Sequence, residues 1–305
     1  MQTIYYKNLK HTKMQTLNQF RVGAWIHINE ATQSDLDFVC KRFKLDESIV
    51  RDALDIFEVP RIEKEAGITY LITRFSYQKN TIFSTAPLMV IVGPDFFVTI
   101  SPQRLPLIET FVNKKGVYTT QKTKLLLQML ITIDTSFERH VTNISKSIQK
   151  ITTNIEEMNN KSIIELVQFE SVFNEFLFGL VPDTTLLEKL LSGKFLKLFE
   201  EDRDLIEDLA LTKQQLIKMS QANIKQLTNT RDTYSSITSN NLNNSMKFLT
   251  GITLILTIPT MIFSFYGMNV HLPLEGHPFS FAFIFVGTLL FSSGLLYVLT
   301  KKDLL

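Results

Sequence analysis

An α+β membrane protein is what this sequence predicts: a sheet-bearing soluble domain, a long stalk helix and two C-terminal spans. Three observations carry that expectation. Strand-like runs cluster before residue 101, among short helical patterns. From Thr120 onward the pattern is helical, and neither Pro nor Gly interrupts residues 200–250. Residues 246–266 and 279–299 are apolar, with Lys247 their single charge. As helices, both are long enough to cross a hydrocarbon core of about 30 Å.

The soluble part comes first. Ala24-Trp25-Ile26-His27-Ile28 alternates as a strand should, and residues 68–75, 87–92 and 96–100 form further β-rich runs. Gly93-Pro94-Asp95 predicts a hairpin turn between the last two. Residues 35–43 open as a helix with Ser34 as N-cap, and 48–57 read as a second one. Strands flanked by helices predict a layered α/β/α sandwich over residues 1–119. No Gly-rich phosphate loop follows any of these strands, so no nucleotide is expected.

Residues 120–199 read as paired long helices with short connectors. The first helix, 125–159, carries an apolar face through Leu126, Met129, Leu130, Ile133, Phe137, Val141, Ile144, Ile148, Ile151 and Ile155. Asn159-Asn160 marks a turn, and 163–180 is the return helix. Pro182 should end it, because proline lacks the donor N–H and clashes with the preceding turn. Residues 186–199 then read as a short helix or two, interrupted at Gly193.

The stalk, 200–245, runs into the first span, 246–266. Unbroken, it would extend roughly 100 Å at about 1.5 Å per residue. Ile206, Leu209, Leu216, Ile224 and Leu227 supply apolar contacts on parts of it. After Leu227, Asn, Ser and Thr dominate, which suits a wet vestibule better than a lipid-facing rod.

The first span is not uniformly apolar. Asn243, Met246, Thr250, Thr253, Thr257, Thr260, Ser264 and Gly267 recur every three or four residues and share one helical face. Small and hydroxylated residues permit close helix packing; several copies of the stripe could equally enclose a water-filled axis. Asn269 lies just past the helix end, and no Asp, Glu, Lys or Arg occurs between Lys247 and Glu275. A ring of its amide oxygens would face a hydrated cation without trapping it. The simpler alternative is that Gly267 and Asn269 only cap the helix.

The second span, 279–299, holds Phe279, Phe281, Phe283, Phe285 and Phe291 and no comparable hydroxyl stripe, so it should face lipid. Lys247 flanks one span and Lys301-Lys302 the other. Positive charge at these ends predicts cytosolic termini, an external loop 267–278 and a basic cytosolic tail 300–305. The N-terminal MQTIYYKNLKHTKMQ lacks an apolar signal core, in keeping with that orientation.

Composition excludes other classes. Thirty-two Lys and Arg against thirty Asp and Glu leave +2, which is no nucleic-acid footprint. A single cysteine, Cys40, excludes a disulfide framework and any multi-cysteine metal site. His11, His27, His140, His271 and His277 lack metal-ligand spacing, and Glu156-Glu157 and Glu200-Glu201 read as solvated helix faces. Nothing here predicts an enzyme.

One resemblance goes further. Tyr266-Gly267-Met268-Asn269, after a helix containing Pro259 and before a single further span, resembles the CorA family of magnesium channels. Asp232, Tyr234, Ser235, Ser236, Ser239-Asn240, Asn243, Met246-Lys247 and Leu249-Thr250 resemble the family pattern upstream of the pore without a gap. The matched block runs from about Asp208 to Leu305, and Val59-Pro60-Arg61-Ile62-Glu63-Lys64 resembles the cytosolic domain more weakly.

The resemblance implies a homopentamer in a cell membrane, with Mg²⁺ as substrate. Asn269, with Tyr266, Gly267 and Met268, would form the entrance. Thr260, Thr257 and Thr253 would continue the path, and Leu249, Met246 and Asn243 would form the constriction. Asp232 and Asp208 match positions that bind regulatory Mg²⁺ between subunits, but where the family has an acidic partner in the cytosolic sheet this chain reads Ala66-Gly67-Ile68-Thr69, with Glu63 and Glu65 slightly upstream. The outer loop departs from the family's Met-Pro-Glu-Leu: it reads Val270-His271-Leu272-Pro273-Leu274-Glu275, leaving Glu275 as the one carboxylate to attract cations. Relatives that carry Co²⁺, Ni²⁺ or Zn²⁺ remain alternatives, although Met268 favours magnesium over zinc. From another class, a membrane-anchored coiled-coil sensor or scaffold would conduct nothing.

Overall fold

The structure, a computed structural model, describes residues 2–79, 82–153, 155, 158–273, 276 and 278–302. The chain divides into two compact units, Met1–Thr230 and Arg231–Leu305.

The first unit is organised by a seven-stranded sheet. Its strands are β1 (Gln2–Tyr6), β2 (Gln15–Leu17), β3 (Trp25–Asn29), β4 (Arg61–Glu65), β5 (Ile68–Lys79), β6 (Ile82–Val92) and β7 (Phe97–Ser101), in the order β2-β1-β3-β7-β6-β5-β4. β3 and β7 run parallel with Trp25 opposite Phe97, and the other neighbours are antiparallel. The β6–β7 reversal falls on Gly93-Pro94-Asp95, where the Gly93 N–H donates to Phe96 O at 3.1 Å.

Between β3 and β4 lie α1 (Gln33–Phe43), α2 (Glu47–Arg51) and a 3-10 turn, Asp52–Leu54. Strand alternation sends Ile26, Ile28, Tyr70, Ile72, Met89, Ile91, Val98 and Ile100 into one core with Leu36, Val39, Cys40 and Val50 of these helices. Trp25, Leu71, Leu88, Val90 and Phe97 are equally buried and alternate onto the other face. There α3 (Ile108–Val112) sets the Phe111 ring edge-on to Trp25, while α4 (Lys122–Thr152) and α5 (Asn160–Leu191) pack on β5 and β6. Helices on both sides of a sheet make the expected sandwich.

Several elements differ from expectation. Strands β1, β2 and β4 and helix α3 carry patterns too short or too polar to read from sequence. Helix α1 begins two residues early, because Asp35 Oδ2 accepts from both the Thr32 N–H (3.0 Å) and its hydroxyl (2.8 Å), making Thr32 rather than Ser34 the cap. The second helix stops at Arg51 and tightens to 3-10, capped at its start by Asp46. Helix α4 ends at Thr152, short of Asn159, which instead caps α5 through its Oδ1.

The largest correction concerns Pro182. Helix α5 runs through it to Leu191. Asp183, Leu186, Leu187 and Leu190 continue the buried face of Phe173, Phe176 and Leu180, so tertiary burial outweighs the lost backbone bond. Residues 186–191 are therefore not a separate helix.

Helix α6 spans Glu200–Tyr266. In the first unit it buries Asp202, Ile206, Leu209, Lys213, Leu216, Ser220, Leu227 and Thr230, spaced by threes, fours and a seven. In the second unit it is followed by α7, Ser280–Lys301. These two helices are long and apolar enough to cross a membrane, and their apolar stretches are largely exposed.

Candidate functional site

From Asp232 to Thr250 nearly every side chain of α6 is exposed, and Gly251 is the first buried position of the span. Gly251, Ile255, Ile258, Pro259, Ile262 and Tyr266 are buried or half-buried and share one face. On α7, Thr288 and Leu299 are buried, and Leu299 lines a groove of about 340 Å³ with Gly251, Leu254 and, from the lower part of the polar stripe, Asn243, Met246 and Thr250. This is the side that α7 covers.

Asn243, Met246, Thr250, Thr253, Thr257, Thr260 and Ser264 are all exposed. At about 100° per residue, their stripe lies roughly opposite the face that α7 covers. The lower stripe residues Asn243, Met246 and Thr250 share the groove with Leu299, whereas Thr253, Thr257, Thr260 and Ser264 are exposed and do not line it. Leu249, 61 % exposed, flanks it.

The hydroxyls have a definite polarity. Thr253, Thr257 and Thr260 each donate Oγ1–H to the carbonyl four residues earlier, at 2.8, 2.7 and 2.8 Å. With the proton committed to the helix, each hydroxyl oxygen turns lone pairs outward. A row of three acceptors suits a cation or the water protons around one.

The end of α6 is a tightened turn. The Gly267 N–H reaches both Phe263 O (3.0 Å) and Ser264 O (3.2 Å), and Met268 N–H reaches Phe265 O at 3.3 Å. Gly267 is not in the left-handed region, so its N–H closes the last turn of the helix without the left-handed glycine cap common at helix C-termini. A Cβ at Gly267 would sit 3.3 Å from Phe263 O. The Tyr266 hydroxyl donates to Pro273 O at 3.4 Å, tying the helix end to the following loop. Met268 and Asn269 are exposed just beyond. Glu275, proposed to attract cations, lies outside the described residues, as do His277 and Glu156-Glu157.

Asp208 and Asp232 are exposed single carboxylates on α6. Among the described residues no group of three or more His, Cys, Asp or Glu is placed to hold a metal. Glu63 is engaged by Arg61 at 2.5 Å, and the same guanidinium also binds Asp52 and Glu58. His27 and His140 are core residues: each Nδ1 pairs with a hydroxyl, of Thr99 and Ser76, and burial pushes both imidazoles down to about 4.

One polar cluster escaped the sequence reading. Lys213 of α6, fully buried, donates to Asp134 Oδ1 of α4 at 2.6 Å and to Asp183 Oδ2 of α5 at 2.9 Å. The Thr73 hydroxyl of β5 donates to the same Asp183 oxygen at 2.7 Å. Its signal was available: Lys213 falls on the apolar spacing of Ile206, Leu209 and Leu216, and Asp134 sits between Ile133 and Phe137.

The model of the CorA-like Mg²⁺ transporter protein family matches residues 21–302. The chain belongs to the CorA family. A curated relative, the cobalt/magnesium transport protein CorA of Methanocaldococcus jannaschii, is 25 % identical over 269 residues, covering 84 % of this chain and 83 % of its own. The complete structure of the CorA magnesium transporter from that organism superposes with a TM-score of 0.85 at 21 % identity, over 99 % of this chain and 98 % of that one. The full-length CmaX protein superposes at 0.75 with 13 % identity, over 98 % of this chain and 97 % of that one. The CorA fold thus accounts for the sheet domain, the long α6 and the apolar α7 together. Members of this family are transporters, and this chain carries two candidate C-terminal spans.

Proposed function

We propose that this CorA-family protein is a homopentameric channel for Mg²⁺, with Co²⁺ as a second substrate in view of its cobalt/magnesium relative. The observation that carries the reading is the exposed acceptor row Thr253, Thr257 and Thr260, opposite the α7-covered face and ending at Gly267-Met268-Asn269.

Mg²⁺ releases water reluctantly and demands octahedral geometry. A passage of amide, hydroxyl and carbonyl oxygens engages those waters without stripping them. In this reading Asn269 meets the hydrated ion at the external mouth, positioned by the turn that Tyr266, Gly267 and Met268 complete. Thr260, Thr257 and Thr253 accept from its waters along the axis. Leu249 and Met246 narrow the path, and Asn243 opens it to the cytosol. Residues 246–266 and 279–299 are the spans, 267–278 the outer loop, and 1–119, 120–199 and 200–245 the cytosolic sheet, helix pair and stalk. An inside-negative potential favours entry of a divalent ion by about 4.6 kcal/mol per 100 mV, twice the single-charge value.

Asp232 and Asp208 are proposed as gating sites for intracellular Mg²⁺. Each offers one exposed carboxylate per chain, so a neighbouring subunit must complete the ligand set. Bound Mg²⁺ would bridge subunits and hold the pore shut.

Mg²⁺ flux into liposomes tests both parts, using wild type, Asn269→Ala and Asp232→Ala. The Asn269→Ala protein should lose at least tenfold in uptake, a rise of about 1.4 kcal/mol in the rate-limiting barrier. Equal uptake would remove Asn269 from the mouth, and no flux from the wild type would favour a scaffold. The Asp232→Ala protein should stay open at internal Mg²⁺ concentrations that close the wild type.

A further inference from the structure

The buried cluster between α4, α5, α6 and β5 offers its two carboxylates one hydrogen-bonded cation, while the buried Arg74 acts on Asp183 only through space. Two carboxylates, Asp134 and Asp183, share the single Lys213 ammonium, and none of the three is more than 2 % exposed. Asp134 Oδ2 and Asp183 Oδ1 are buried without a hydrogen-bond partner among the described residues. An uncompensated charge in such surroundings is costly, and the usual remedy is neutralisation.

The two carboxylates are not equivalent. Asp183 accepts from Thr73 and from Lys213, whereas Asp134 accepts from Lys213 alone. Hydrogen bonds donated to a carboxylate stabilise its charged form, and Asp134 receives one where Asp183 receives two. The groups acting on Asp134 are Lys213 from α6 and Asp183 from α5. From β5, Thr73 contacts Asp183, and Arg74 acts on Asp183 through space.

We propose that Asp134, Asp183 and Lys213 form a proton-binding site at the joint between α6 and the sheet domain, and that the proton resides on Asp134. Protonation leaves Lys213 and Asp183 as a neutral pair, and the joint holds α6 most firmly in that form. Burial agrees, pushing the Asp134 carboxyl up to about 6 from an ordinary 3.8 despite the adjacent ammonium.

Asp134 binds its proton more tightly folded than unfolded, so folding takes up a proton between about pH 4 and pH 6. The stabilisation is fully present below the unfolded value, is lost as pH rises through that window, and changes no further above about pH 7.

The test compares thermal midpoints of the full chain in detergent, for wild type, Asp134→Asn and Asp183→Asn, from pH 4.5 to 7.5. Either amide leaves a single carboxylate beside Lys213. Relative to each variant, the wild type should lose stability as pH rises, by about 30-fold in its folding equilibrium between about pH 4.5 and 7.5. A gap that is independent of pH, or that moves the other way, overturns the proposal whatever its size. Infrared spectra of wild type with ¹³C-labelled aspartate need no variant: a buried protonated aspartic carbonyl band should appear at pH 5 and vanish at pH 8. Its absence at pH 5 also overturns the proposal.

Discussion

Gly93 illustrates how one position serves both turn and core. A Cβ built on it would fall 2.2 Å from the Phe96 ring, which is itself buried and tilted against Phe43 at 4.5 Å between centroids. Gly93→Ala must therefore displace Phe96 from the packing under α1. The expected loss is about 1–3 kcal/mol, the usual cost of overpacking, read from a denaturant midpoint. Phe96→Leu in the same chain should recover part of it, and an unchanged midpoint for Gly93→Ala would show that the ring moves freely. The turn itself was legible, since Gly-Pro-Asp has a local mechanism. The ring above it was not, because the contact depends on how α1 returns over the sheet. Lys213 marks the same limit. A charge on an apolar spacing signals a buried partner, but its partners, Asp134 and Asp183, lie 79 and 30 residues away and only folding unites them.

Helix α5 shows where local chemistry loses to packing. Proline was expected to end it, yet Leu180, Asp183, Leu186, Leu187 and Leu190 form one continuous buried face across Pro182. Breaking the helix would pull Asp183 from Lys213 and Thr73. Restoring the missing donor should then help: Pro182→Ala is expected to stabilise the protein by about 1–3 kcal/mol, bounded by the helix-interior cost of proline. A lowered midpoint would mean that the proline sets a bend the packing needs. Helix α6 is the opposite case. Its hydroxyl stripe was readable from a spacing of three and four, because the helical repeat alone puts those residues together. Which face α7 covers was not readable, as apolar residues surround the stripe on every other side. The half-buried series from Gly251 to Tyr266 supplies that, and leaves the stripe opposite and exposed.

For the whole molecule, the two spans were legible from composition, whereas their direction rests on three lysines. In the proposed orientation Lys247 and Lys301-Lys302 mark the cytosolic ends, and loop 267–278 is external. The protein offers a clean test, because Cys40 is its only cysteine. That thiol is buried, and burial pushes it up to about 11. At neutral pH only about one in 10⁴ molecules would present the reactive thiolate. Wild type should therefore resist labelling by a membrane-impermeant maleimide. Val270 and Lys302 are both exposed and lie at opposite ends of the second span. In intact cells Val270→Cys should label at once, and Lys302→Cys only after permeabilisation. The reversed pattern would turn Asn269 into the cytosolic mouth. The membrane potential would then oppose entry at that mouth by about the same 4.6 kcal/mol per 100 mV that otherwise favours it. Direction of labelling thus decides which end of the acceptor row an entering ion meets first, independently of any flux measurement.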